Sequence, residues 1–203
     1  MTAVADAAFV DIDPFRRRLL DGLAASIGER GYRATTVADI VRHARTSKRT
    51  FYDQYASKEE CFLELLHAVN EQLEADIRAA VDPDADWQCQ IRQAVEAYVS
   101  HIEARPAVTL SSIRELPSLG DAARPAQRRG LQTLTSLLID LSGSAGFRRA
   151  GLAPLTPPLA VILLGGLWEL TAVAVEDGKD VREIVGPAVQ ASVALLGSLR
   201  SVD

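Results

Sequence analysis

The residues of this chain most able to do chemistry lie in one stretch, "TTVADIVRHARTSKRTFYDQYASKEE", residues 35–60. It sets Arg42, Arg45, Lys48, Arg49 and Lys58 around Phe51, Tyr52 and Tyr55. Cations interleaved with aromatics suit a polyanion. Arg and Lys neutralise phosphates and donate to guanine O6 and N7, and a good bidentate pair is worth about 1–3 kcal/mol of base discrimination. The setting sharpens the point. The net charge is -5 over 203 residues, yet residues 16–58 hold ten Lys or Arg against four Asp or Glu, while residues 59–203 carry -8. A basic block beside an acidic remainder points to two surfaces with different work.

Other chemistry finds little support. His43, His67 and His101 fall on separate predicted helices, with no metal-ligand spacing. There is no G-x-S-x-G and no phosphate-cradling glycine loop, since Gly165 and Gly166 sit inside a predicted helix. The expectation is therefore a non-enzyme with no cofactor and no metal. Cys61 and Cys89 are too few for a disulfide framework and fit a reducing compartment. Cys61, next to Phe62, reads as packing rather than as a redox-sensing thiol. The first residues lack the pattern of a signal peptide. The longest apolar run, 159–175, is shorter than the ~20 residues a membrane span needs and contains Glu169. It reads as a buried helix of a cytoplasmic protein with no membrane partner.

The elements that must position the basic stretch are helical. No apolar–polar alternation is long enough for strands, so the fold class is all-α, with about nine helices. Residues 1–12 read as a loose arm. Asp13 and Pro14 are an N-cap and a first helical residue, and Phe15, Leu19, Leu20, Leu23 and Ile27 follow at helical spacing towards Gly31. Thr36 caps a short second helix with Ile40 and Val41 inside. A third spans about 47–55, with Phe51 and Tyr55 inward and Lys48, Arg49, Thr50 and Tyr52 outward. Ser57 with Glu60 is a capping box opening a long fourth helix. Later helices are expected over about 91–102, 106–116, 131–141, 156–176 and 181–199, with 142–158 as a long connection.

Two short helices joined by a tight turn, the second bearing cations, form a helix-turn-helix, whose second helix enters the major groove. Tyr52 and Lys58 suit phosphates. Free N–H groups at the start of the second and fourth helices add to anion binding. Asp53 is a carboxylate out of place near phosphates. Four residues after Arg49, it could orient that guanidinium or accept from cytosine N4.

On "GYRATTVADIVRHARTSKRTFYDQYASKEECF", residues 16–66 resemble the DNA-binding domain of the TetR family of bacterial transcriptional repressors. The shared features are the Gly-Tyr pair, the Thr pair, the Lys, Thr, Phe and Tyr of the third helix, and Ser-Lys-Glu opening the fourth. The resemblance implies DNA contacts at Thr36, Thr46, Ser47, Lys48, Arg49, Thr50, Tyr52 and Lys58. Two arginines depart from the pattern: the family often has glycine at the positions of Arg45 and Arg49. If the backbone at Arg45 is left-handed, a side chain there costs roughly 1 kcal/mol, which a phosphate contact by Arg45 would offset. Arg49 is expected to set operator preference.

The resemblance divides the chain into a helix-turn-helix domain, 13–58, and a ligand-sensing and dimerisation domain, 59–203. A palindromic operator in double-stranded DNA requires a two-fold homodimer, with half-sites about 34–36 Å apart. The predicted helices over 156–176 and 181–199 would supply its four-helix bundle. Gly165 and Gly166 would allow close approach, and Ala191, Val193 and Leu195 would lie on a small-residue face. A small, hydrophobic effector is expected within helices four to eight, near Tyr98, His101, Arg105, Arg114 and Trp168, with Trp87 and Glu115 as further possibilities. The same residues serve equally as core, interface or solvated groups. The function expected is a repressor released from its operator by that effector. The alternatives are a helical scaffold or partner-binding module, or a regulator with no effector pocket.

Overall fold

The computed structural model describes residues 13–199, so the expected arm at 1–12 lies outside the described residues. These residues form ten α-helices and two short 3-10 segments. They are α1 (Pro14–Ala34), α2 (Val37–His43), α3 (Lys48–Tyr52), α4 (Lys58–Ala80), α5 (Trp87–Ala104), α6 (Pro106–Arg114), α7 (Arg124–Ser142), α8 (Ala145–Arg149), α9 (Pro157–Glu176) and α10 (Val185–Gly197). The 3-10 segments are Leu116–Ala122 and Val181–Ile184. The all-α expectation holds.

The helix count rises above nine because the expected connection 142–158 contains α8. Gln90 holds that stretch from α5. Its Nε2 donates to the carbonyls of Pro83 (3.1 Å) and Ala85 (2.9 Å), and its Oε1 accepts from Ser144 Oγ (2.7 Å). Phe147 on α8 is buried and packs its ring 5.9 Å from that of Trp87.

The chain forms two compact units. Unit 1 comprises residues 13–72 and 105–127, so α6 and the 3-10 turn after it pack with the first three helices. This takes the unit beyond the 13–58 segment. Val108 on α6 joins a core of Leu19, Leu20, Leu23, Ile40, Phe51 and Phe62. Arg33 on α1 donates to Glu115 across 2.6 Å, and Arg105 lies 3.8 Å from Asp21.

Unit 2 comprises residues 73–104 and 128–199. Its core is aliphatic: Leu73, Ile77, Val95, Ile102, Leu137 and Leu164 are all buried. At 20 residues and mean hydropathy 1.9, α9 is long and apolar enough to cross a membrane. The expectation that this run is too short fails because Pro157 and Pro158 extend the helix in front of it and Glu176 after it. Helix α9 seats Ala160, Leu164, Thr171, Ala172 and Ala174 in unit 2, but leaves Val161, Ile162 and Val173 exposed.

Candidate functional site

Unit 1 builds the basic surface from its caps inward. Helix α1 is bounded by the Asp13 cap and by Gly31, whose φ of +76° is the left-handed conformation that glycine adopts without a Cβ penalty. At Gly22 the backbones of α1 and α2 come so close that a Cβ would sit 2.7 Å from the Ile40 carbonyl oxygen. This fixes α2 against α1. Thr36 and Asp39 then form a full capping box. Thr36 N–H donates to Asp39 Oδ2 (3.0 Å), and Asp39 N–H donates to Thr36 Oγ1 (3.3 Å). The Thr36 hydroxyl also donates to Asp39 Oδ2 (2.7 Å), and its hydrogen bonds hold the Asp39 carboxyl below the usual range, with Arg30 and Arg42 helping. Thr36 therefore spends its donors on the cap, so the two N–H groups inside that box are not available to an anion.

The turn between α2 and α3 is a Schellman motif. Thr46 N–H reaches back to the Val41 carbonyl (2.9 Å) and Arg45 N–H to that of Arg42 (3.3 Å). Such a motif puts the residue after the C-cap in the left-handed region, here Arg45 with φ +51°. It is the one non-glycine residue with positive φ among the described residues. Among the described residues, its exposed side chain has no hydrogen-bond or ion-pair partner.

Ser47 caps α3, accepting from Thr50 N–H (3.1 Å) and sharing a 2.7 Å hydrogen bond with the Thr50 hydroxyl. Phe51 and Tyr55, 0% and 1% exposed, anchor the helix in the unit 1 core. Arg16 caps this anchor from α1, its guanidinium 4.8 Å from the Tyr55 ring centroid and 2.7 Å from Glu64. That leaves Lys48, Arg49 and Tyr52 exposed on one side of α3. Among the described residues neither Lys48 nor Arg49 has an ion-pair or side-chain hydrogen-bond partner, so Asp53 does not orient Arg49. Arg42 differs, being held by Glu29 at 3.0 Å.

Lys58 is not a free cation. Its ammonium donates to the carbonyls of Tyr32 (3.0 Å) and Thr35 (2.9 Å) and sits 4.2 Å from the Tyr32 ring centroid. The last carbonyls of α1 carry the negative end of the helix dipole, so they draw the nearest lysine inward. Glu60 also departs from the expected box. Its N–H donates to Ser57 Oγ (3.2 Å), but its carboxylate accepts from Ala56 N–H (2.7 Å). Cys61 is fully buried, which pushes its thiol pKa well up and keeps it protonated.

Unit 2 holds an apolar cavity of about 70 Å³. Leu73, Ile77, Val95, Leu137, Phe147 and Leu164 are among its walls. Its polar wall residues already have partners. Tyr98 hydroxyl bonds Thr171 Oγ1 (2.9 Å), and Gln90 holds α8 as described. Ser142 donates to the Ile139 carbonyl (2.8 Å) and accepts from Leu155 N–H (2.8 Å), while Ser192 donates to the Ala188 carbonyl (2.7 Å). Burial pushes the Tyr98 hydroxyl pKa up to about 12.

Of the expected effector residues, only Tyr98 lines this cavity. His101 pairs with Asp76 at 3.0 Å, and Trp168 packs on the outside of the unit 2 core. Arg105 and Arg114 belong to unit 1, as does Glu115. The wall residues that the sequence reading missed are aliphatic and share the helical spacing of ordinary core. Among the described residues, no group of three or more His, Cys, Asp or Glu is placed to hold a metal.

Residues 19–65, the stretch that forms this helix-turn-helix, match the family model described as bacterial regulatory proteins, tetR family. Over this domain the chain is similar to the TetR family. Two curated TetR-type relatives match further. The HTH-type transcriptional repressor KstR2 of Mycobacterium tuberculosis is 44% identical over 71 residues, 35% of this chain and 36% of that protein. The HTH-type transcriptional activator FasR of Mycolicibacterium smegmatis is 32% identical over 91 residues, 45% and 42% respectively. The chain thus spans less than half the length of the curated relatives it matches.

The likeness in fold to solved structures covers most of the chain. The fatty acid degradation regulator FadR of Bacillus halodurans superposes with a TM-score of 0.76 at 21% identity, over 94% of this chain and 98% of that one. FadR of Bacillus subtilis, solved in complex with stearoyl-CoA, gives 0.70 at 17% identity, over 91% and 99%. At these identities the likeness concerns the fold.

Proposed function

We propose that this protein is a sequence-specific, DNA-binding transcriptional regulator that acts as a homodimeric repressor and is released from a palindromic operator by a small apolar effector. The observation that carries the reading is the group of unpaired, exposed cations Arg45, Lys48 and Arg49, held on a turn and helix that Phe51 and Tyr55 lock into the core. Unpaired cations reach phosphates without first breaking an ion pair, and the release of counterions from the DNA favours the contact. Thr46, Ser47, Thr50 and Tyr52 complete the DNA face, with the hydroxyls of Ser47 and Thr50 fixing the start of the reading helix. A cytoplasmic location goes with this work.

The effector reading rests on the unit 2 cavity. Its wall offers hydrocarbon, and its polar groups are already satisfied, so an apolar group gains by entering and a polar one loses hydrogen bonds. The stearoyl chain of the stearoyl-CoA bound by the Bacillus subtilis neighbour is an apolar group of this kind. Of the relatives, the KstR2 repressor has the higher identity in the shared domain, which favours repression.

The homodimer reading rests on α9 and α10. Ile162 is 63% exposed, and Val161 and Val173 each 41%, on a helix apolar nearly all round. Gly165 and Gly166 meet nothing of their own chain where a side chain would stand, so this chain's packing does not require them to be glycine. A second backbone approaching there would. On α10, Ala191 and Ala194 are exposed, Leu195 is half-buried and Val193 packs partly on the unit 2 core.

The experiment is selection of duplexes from a random-sequence pool by the purified chain. The reading expects one enriched sequence with two inverted half-sites. Recovery of unrelated sequences only would refute it.

A further inference from the structure

Two cations of unit 1, both given to DNA contacts by the sequence, have opposite surroundings. The Lys58 ammonium has two backbone carbonyls and an aromatic face within the chain. Two of its three N–H donors are thereby committed to the end of α1, and swinging out to a phosphate would give up those bonds. Arg45 has no partner among the described residues and is exposed, at a backbone position where glycine would carry no Cβ penalty. The turn gives no reason for arginine: both Schellman hydrogen bonds are made by backbone atoms. Nothing within the chain offsets the strain at φ +51°, so the return must come from outside it.

We infer that Arg45 carries the phosphate contact that the sequence resemblance assigns to Lys58, and that Lys58 is a structural clamp on the end of α1. The inference rests on the DNA-binding reading above. A phosphate suits Arg45 better than a base edge. Arg45 precedes the α3 cap by two residues, so it flanks the helix whose first residues, Lys48 and Arg49, lead into the groove. Glycine at this position would give a more stable protein that binds DNA less tightly, and removing the Lys58 charge would do the reverse to stability while sparing the phosphate contacts.

The test uses the full chain and a duplex that the wild-type protein selects from a random pool, with affinity measured over a salt series and melting followed in parallel. Arg45→Gly should lower the slope of log K against log salt by about 0.9 per subunit and raise the melting temperature by about 2–4 °C. Arg45→Asn, which tolerates the left-handed turn, should lower the slope equally. Lys58→Met should lower the melting temperature and leave the slope at the wild-type value. A wild-type slope in Arg45→Gly, or a reduced slope in Lys58→Met, overturns the inference. So does a change in preferred sequence at constant slope, which would make Arg45 a base reader. A wild-type protein that selects no duplex overturns the regulator reading itself.

Discussion

Tyr98 on α5 and Thr171 on α9 share a hydrogen bond of 2.9 Å at the wall of the unit 2 cavity, 73 residues apart in sequence. Both are buried, Thr171 completely. A buried hydroxyl left without its partner costs about 1–3 kcal/mol, whereas removing both members together is nearly neutral. Tyr98→Phe should therefore destabilise the protein by that amount. Tyr98→Phe combined with Thr171→Val should recover most of it. Chemical denaturation of the two single variants and the double variant measures the coupling, and strict additivity would contradict the pairing.

Arg49 is the second arginine at which the family often has glycine, and it stands on the exposed side of α3 with no partner among the described residues. Arg49→Ala should weaken binding and broaden base preference at one or two positions in each half-site, at about 1–3 kcal/mol per lost bidentate contact. Selection from a random pool by the variant reads this directly. An unchanged preferred sequence would remove Arg49 from base reading.

The Asp39 box has a pH signature. Its carboxyl is held below the ordinary range by the Thr36 hydroxyl and backbone first, then by Arg30 and Arg42. A depressed carboxylate contributes stability that is fully present above its unfolded pKa of about 3.9 and is lost as the pH falls through its folded value. The melting difference between wild type and Asp39→Ala should be constant at neutral pH and should shrink as the pH falls below about 4. A difference that persists unchanged into strong acid would contradict the charged cap.

Ile162 tests the bundle of α9 and α10. It is the most exposed large aliphatic residue described, so a charge there should not disturb the unit 2 core. Ile162→Glu should keep the helical content and convert a dimer into a monomer in sedimentation at micromolar concentration. A wild-type chain that sediments as a monomer would refute the interface.

What could be read from the sequence was local. The caps at Asp13 and Thr36 and the inward pair Phe51 and Tyr55 depend on residues within about five positions of one another, where spacing and cap chemistry decide the structure. What could not be read was tertiary. Lys58 meets carbonyls 23 and 26 residues away, and only the docking of α4 on α1 brings them together. The partner of His101, Asp76, lies 25 residues earlier on another helix, beyond the reach of local spacing. The cavity walls are leucine, isoleucine and valine on helical periods, a pattern identical to that of a solid core. A void arises from how such side chains fail to meet, and periodicity carries no information about that.

The central claim is that the unpaired cations of the α2–α3 turn and α3 read DNA. The most direct test compares the affinity for the selected duplex with that for a scrambled duplex of the same composition, at about 50 and 200 mM salt. The account predicts a steep loss of affinity with salt on both, and a preference for the selected duplex of about 10³ or more that survives at the higher salt. Equal affinity for the two duplexes, or binding indifferent to salt, would contradict it.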